Sequence, residues 1–311
     1  MPALLISRNT RHATVLAVIL LLAVAALYYA IAGHWHERLA FLVDHQWTDI
    51  GAASPAIHLD EFHLAEIRAI PAILDNLSGL AFDVERGHLW AVTNDPTELF
   101  ALGTGGEVLG RYPLRDFHDT EGVAFLGGGW LAIVEERRAA IVLVPVPLEA
   151  GIVERGRVQS LSLALGREFE GRDNNGLEGV AYDRIGDRLF LAKERNPRGL
   201  YSIKGLGGSL AGHLDLAVED HRQWVEDEVF ARDLSSLAYD PESGHLVLLS
   251  HESRLLLELS DTGEVLGMRS LGAGFAGLEA DIPQPEGVAF DAEGNLYIVS
   301  EPNLFYRFER R

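Results

Sequence analysis

Six glutamates recur at two equivalent places in a repeating pattern, and chemistry enters there. Five times a short apolar segment is entered through a small residue: Leu77-Ser78-Gly79-Leu80-Ala81-Phe82-Asp83, Thr120-Glu121-Gly122-Val123-Ala124-Phe125, Leu177-Glu178-Gly179-Val180-Ala181-Tyr182-Asp183, Ser235-Ser236-Leu237-Ala238-Tyr239-Asp240 and Pro285-Glu286-Gly287-Val288-Ala289-Phe290-Asp291. Aligned on Gly79, Gly122, Gly179, Ser236 and Gly287, the preceding position reads Ser78, Glu121, Glu178, Ser235 and Glu286. About a dozen residues on, a second apolar segment ends in polar residues. Aligned through Trp90, Leu131, Phe190, Val247 and Tyr297, those ends are Asn94, Glu135, Glu194, His251 and Glu301.

Carboxylates gathered in a confined space repel one another and need a cation, a shared proton or basic neighbours. With no cysteine and few histidines in the two columns, oxygen ligands suit a hard ion. Ca2+ fits better than Mg2+, because it accepts six to eight oxygens in flexible geometry. The expected ligands are Glu121, Glu178, Glu286, Glu135, Glu194 and Glu301, with Asn94-Asp95 and Asp173-Asn174-Asn175 as further donors. Lys193, Arg195 and Arg254, together with Asn94 and His251, are candidate contacts for a phosphate or other small anionic ligand. A metal held by acids with cations nearby is also what phosphate-ester hydrolysis uses, so a metal-dependent phosphoesterase of phytase-like type is the alternative function. His118 and His251 are its candidate acid/base groups. A metal-free interaction scaffold is the third reading. No nucleophile elbow, catalytic triad order, P-loop or EF-hand loop is present in the sequence.

These residues can only converge if the repeats are arranged around an axis. The aligned positions step by 43, 57, 57 and 51 residues, an irregular period filled with short strands, which points to propeller blades rather than a solenoid. In the first blade the strands read Leu77–Asp83, His88–Thr93, Glu98–Leu102 and Glu107–Leu114, separated by Glu85-Arg86-Gly87 and Gly103-Thr104-Gly105-Gly106 turns. The fourth blade repeats this through Leu237–Asp240, His245–Ser250, Leu255–Ser260 and Glu264–Leu271. The fifth blade has three strands and then the chain ends, while an orphan strand, Phe62–Ile70, precedes the first. Pairing the orphan with the last blade closes the ring and removes its open edges. The expected fold is all-β: a five-bladed β-propeller of four-stranded antiparallel blades, with a sixth blade as the alternative inside the two long intervals. The start of each inner strand and the end of the next then share one mouth of the central channel.

A net charge of −20 leaves no basic stripe for a phosphate backbone, so nucleic acid is not an expected partner. Ala13 to Ala32 is an uncharged apolar run of the length that crosses a bilayer, preceded by Arg8, Arg11 and His12. The expected layout is a cytoplasmic N-terminus over 1–12, a transmembrane anchor over 13–32, a juxtamembrane linker over 33–61 and the propeller over 62–311. The propeller would face the periplasm from the inner (plasma) membrane. Small anionic ligands or a protein partner are the expected soluble partners.

The segments Asn76-Leu77-Ser78-Gly79-Leu80-Ala81, Asp119-Thr120-Glu121-Gly122-Val123-Ala124 and Gly176-Leu177-Glu178-Gly179-Val180-Ala181-Tyr182 resemble the SdiA-regulated (YjiK-like) family, over roughly Ile70 to the C-terminus. The resemblance implies a periplasm-facing propeller attached to the inner membrane, calcium binding, a part in calcium homeostasis and a phytase-like label. Thr93-Asn94-Asp95-Pro96 is similar to the Asp-Asp-Pro segment of β-propeller phytases, but the dense Lys/Arg cluster of those enzymes is not evident here.

Overall fold

The computed structural model describes residues 8–32, 57–162, 176–212, 215–226, 229 and 231–310. The chain divides into two units, 1–51 and 52–311. In the first, helix α1 covers Arg8–Ala32, around the predicted apolar run. Side chains are described from 15 to 30, and among the described residues no helix is long and apolar enough to cross a membrane. Of the expected linker, residues 33–56, with His34, Trp35 and His36, lie outside the described residues, whereas Ile57 and Leu59 are buried in the propeller core.

The second unit is a five-bladed propeller. Blade 1 contains β2 (Leu77–Asp83), β3 (His88–Asn94), β4 (Thr97–Leu102) and β5 (Val108–Arg115). Blade 2 contains β6 (Thr120–Gly127), β7 (Trp130–Glu135), β8 (Ala140–Pro145) and β10 (Gln159–Ser162), while the short β9 (Val153–Glu154) runs beside β5 of blade 1. Blade 3 is β11 (Leu177–Asp183), β12 (Arg188–Lys193), β13 (Gly199–Lys204) and β14 (Ala217–Asp220). Blade 4 is β15 (Ser236–Asp240), β16 (His245–Ser250), β17 (Leu255–Leu259) and β18 (Val265–Ser270). Blade 5 is β19 (Gln284–Phe290), β20 (Leu296–Glu301) and β21 (Leu304–Arg310), completed by β1 (Phe62–Ala69) from the start of the domain. The β1–β21 ladder runs antiparallel from Phe62↔Arg310 to Ala69↔Leu304, so the predicted closure forms. Among the described residues the long intervals hold no sixth blade: beyond the strands of blades 2 and 3 they contain β9, two single 3-10 turns and two five-residue helices, α2 (Leu206–Leu210) and α3 (Arg222–Glu226).

Local chemistry explains why the strands stop where they do. The aspartate ending an inner strand accepts the free N–H groups of the turn that follows. Asp83 takes those of Glu85 and Arg86, Asp183 those of Ile185 and Gly186, and Asp291 those of Glu293 and Asn295. Alternate side chains then enter the clefts on either side of each blade. Leu80 packs toward blade 5 with Ala289 and Val299, whereas Ala81 packs toward blade 2 with Val123 and Ile133. Each fully buried Leu, Val or Phe in these clefts contributes about 1.5–3 kcal/mol.

At the axis the inner strands approach until no side chain fits between them. A Cβ placed on Gly79 would lie 2.7 Å from the carbonyl oxygen of Glu121 and 2.7 Å from the Cα of Gly122. One on Gly122 would press into the Glu178 carbonyl, and one on Gly287 would lie 2.7 Å from that of Ser78. The obstacles are backbone atoms of the next blade, which cannot swing aside. Gly122→Ala should therefore destabilise the propeller by about 2 kcal/mol or more. The check is the urea midpoint of the variant; a midpoint equal to wild type would show that the ring has slack.

Candidate metal centre at the channel mouth

Because β-strand side chains alternate, the mouth is assembled from residues in a fixed phase of each hairpin. Leu77 pairs with Thr93, Thr120 with Glu135 and Leu177 with Lys193. Thr93, Glu135 and Lys193 are thus equivalent, and the residues after them, Asn94, Glu136 and Glu194, hold the mouth position. Their N–H groups confirm the match by donating to Asn76, Asp119 and Gly176 carbonyls respectively. His251 and Glu301 complete the set in blades 4 and 5.

Here the sequence expectation fails by one residue. Ala132, not Leu131, is the counterpart of Trp90 and Phe190, since it pairs with Ala124 as they pair with Ala81 and Ala181. Blade 2 has an irregularity between Phe125 and Gly127, and the extra residue displaces every alignment read through the turn. Glu135 consequently faces away from the mouth. It is fully buried, bonded by Arg155 at 2.9 Å, Arg138 at 3.4 Å and the His118 N–H at 3.0 Å, a structural ion-pair cluster. Glu136 stands in its place.

The remaining acids follow one rule: the end of the second strand in one blade faces the acid heading the inner strand of the next. Asn94 donates to Glu121 at 2.9 Å. His251 Nδ1 lies 3.1 Å from Glu286. Glu136 faces Glu178, carboxylate against carboxylate, and with Glu194 it forms a group whose oxygens lie within 4.8 Å of one another. Asp119, Glu121 and Glu136 form a second such group, so Glu136 belongs to both. One Glu136 oxygen accepts the Gly176 N–H at 2.8 Å, while the other is buried with no N–H donor on it, and the neighbouring Asp119 carboxyl can meet Glu136 only by sharing a proton. Asp119 is held by Arg137 at 2.6 Å. Glu194 is contacted by Arg195, which also reaches Glu252 at 2.6 Å. Glu301 lies near Glu286 and Asp75, with Gln284 hydrogen-bonded to it.

The electrostatics follow from burial and from crowding. Burial pushes Glu121 up to about 8, against the opposing hydrogen bonds from Asn94 and Ser78. Glu136 rises to about 7, again chiefly by burial, with Asp119 adding to it. Glu178 is held well above the usual carboxylate range by burial, then by Glu286, Glu121 and Glu136, with no cation among the main influences. Burial also raises Glu286, partly offset by His251, and raises Glu301. The hydrogen bond to Glu286 is the main reason His251 is raised in turn.

The proposed anion contacts do not converge. Lys193 is buried, with its ammonium on the Arg195 and Pro197 carbonyls at 2.6 and 2.9 Å. Arg254 is paired with Asp281 at 2.7 Å. Asn94 and His251 do reach the mouth, but as partners of its acids. The Asp173-Asn174-Asn175 segment lies outside the described residues.

A closed ring of five four-stranded blades with acids gathered at one mouth defines a five-bladed β-propeller. The sequence profile of the SdiA-regulated family matches residues 54–309, nearly the whole propeller unit, and the chain belongs to that family. Among solved structures, the chain is similar to a luciferin-regenerating enzyme (14% identity, 79% of this chain and 80% of that one, TM-score 0.47). It is also similar to virginiamycin B lyase from Staphylococcus aureus (12%, 76% and 66%, TM-score 0.43) and to a chain of a nidogen/laminin complex (14%, 73% and 73%, TM-score 0.44).

The raised groups fix the sign of a pH effect. Each acid keeps its proton in the folded state to a higher pH than in the unfolded chain, so the stability it contributes is present at low pH. That stability is lost as pH rises from the unfolded value near 4.5 through the folded one. His251 acts in the same direction above its ordinary 6.5, whereas His88 and His221, both held low by burial, act below 6.5. Chelator-treated protein should therefore melt at progressively lower temperature from pH 7 to 8.5. A melting temperature that is flat or rising across that window in calorimetry would contradict these shifts.

Proposed function

We propose that this SdiA-regulated propeller holds Ca2+ at the mouth of its channel, between Glu136, Glu178 and Glu194, with Asp119 and Glu121 beside them. The observation that carries the reading is the buried Glu136 oxygen that no N–H donor serves, set among the carboxylates of Asp119, Glu178 and Glu194. Asn94 and His251 each serve one of the three acids heading inner strands, and Glu178 has only other acids. All donors are oxygen, and separations up to 4.8 Å are those that ligands 2.3–2.6 Å from one ion take up. A bound divalent cation would supply the missing charge and let the acids ionise at neutral pH.

The metal would tie blades 2 and 3 together at the axis, and binding would be coupled to proton release. Such a site suits sensing, homeostasis or partner recognition outside the cytoplasm, at the inner membrane. The phosphoesterase reading is not advanced, because Lys193 and Arg254 are already committed to partners elsewhere.

Titration calorimetry on the full chain, stripped with chelator, should give Ca2+ binding with proton uptake by the buffer, tightening from pH 6 to 8. Glu178→Gln and Glu136→Gln should each weaken it at least tenfold, whereas Glu135→Gln should leave it unchanged while lowering the melting temperature. Undiminished binding in the first two variants would remove the site, and no binding to wild type would leave a metal-free scaffold.

A further inference from the structure

The opposite end of the channel is as apolar as the mouth is acidic. Inner strands advance about 3.3 Å per residue, so four residues beyond Glu121 the lining has moved roughly 13 Å down the axis. There a chamber of about 430 Å³ opens, within the size range of small-molecule pockets. Each blade contributes one aromatic ring at the same repeat position: Phe82, Phe125, Tyr182, Tyr239 and Phe290. The two phenols do not make the chamber polar. Tyr182 donates to Asp187 at 2.7 Å, and Tyr239 is bonded to Asp183 and Arg188. Beyond the rings, Val84 and Ile185 stand at the rim 46% and 86% exposed, apolar surface left open among the described residues.

Among the described residues two charged ones, Arg184 and Asp291, line this chamber, and they differ in what they can still bind. Asp291 spends its oxygens on the Glu293 and Asn295 N–H groups, the Asn295 amide and the Tyr297 hydroxyl. Arg184 lies against the Phe125 ring, 5.8 Å from its centroid, and its closest carboxylate, Glu85, is 3.8 Å away, beyond hydrogen-bonding distance. Glu85 is itself occupied by the Gly128 N–H at 2.8 Å. A guanidinium with donors to spare, above a cup of aromatic rings, matches one kind of molecule.

We propose that this chamber binds a small anion with an apolar body, an aliphatic or aromatic carboxylate, its apolar part among the five rings and its carboxylate on Arg184. The rings exclude water around the apolar part, and the planar guanidinium offers paired donors to the two carboxylate oxygens. The site is separate from the acidic mouth and stands whether or not a metal binds there.

Photo-crosslinking of the full chain with a diazirine-bearing decanoate, read by peptide mass spectrometry, locates the ligand and sets aside any that adheres to α1. Saturable labelling is expected on peptides carrying Phe82, Phe125, Tyr182–Ile185, Tyr239 or Phe290, competed by unlabelled decanoate. Arg184→Gln should raise the half-saturating concentration about tenfold, and Ile185→Asp should reduce labelling independently; both replace exposed side chains and should leave the melting temperature near wild type. The corresponding diazirine alcohol should label weakly and equally in wild type and Arg184→Gln. Label confined to residues 8–32, labelling undiminished in Arg184→Gln, or equal labelling by acid and alcohol would each overturn the proposal.

Discussion

Everything at the centre of this protein depends on how closely five inner strands meet. Gly79, Gly122 and Gly287 each sit where a Cβ would run into backbone of the neighbouring blade. Removing one carbon at these positions draws the strands in far enough that side chains of adjacent blades touch across the axis. The residue just before each glycine inherits that crowding. Where it is a glutamate, the carboxylate is placed among others with little water to screen it, which is why burial heads the influences on Glu121, Glu178 and Glu286 alike.

The propeller answers that crowding blade by blade rather than by a uniform device. An amide serves Glu121, an imidazole serves Glu286, and the pair Glu136–Glu178 is left as acid facing acid. The group facing each of these acids comes in every case from the preceding blade, so the electrostatics of the mouth also act as contacts between blades. The far end has the opposite character because the same strands there present aromatic rings, with carboxylates such as Asp187 and Asp183 engaging the phenols from outside. One channel thus has a charged end and an apolar end, set by position along a single strand type.

Much of this was legible in the residue order. Strand limits in blades 1 and 4 follow the apolar runs and Gly turns to within a residue or two, and β1 falls on the orphan segment. The exception is instructive. In blade 2, counting through the Gly127-Gly128-Gly129 turn selects Glu135, and one extra residue before that turn makes Glu136 the correct choice. Since side chains alternate, a slip of one exchanges a group at the mouth for one buried against Arg155. The only sign in the sequence was two adjacent glutamates, which cannot say which of them points where. Asp119 was open to view in a polar column three residues before the aligned glycines, beside Asn76 and Asp233.

What the sequence by itself determined is the repetition: five copies, their strand order, the closing strand, and glutamates at recurring places. These are local properties, carried by hydrophobic periodicity, turn residues and the absence of a Cβ. Only the tertiary structure decided which acids share a space and which are answered. That outcome depends on hairpin register and on contacts between neighbouring blades, such as Asn94 with Glu121 and Glu136 with Glu178. A carboxylate is a surface charge or a ligand-in-waiting according to what lies within a few ångströms of it, and no spacing along the chain fixes that distance.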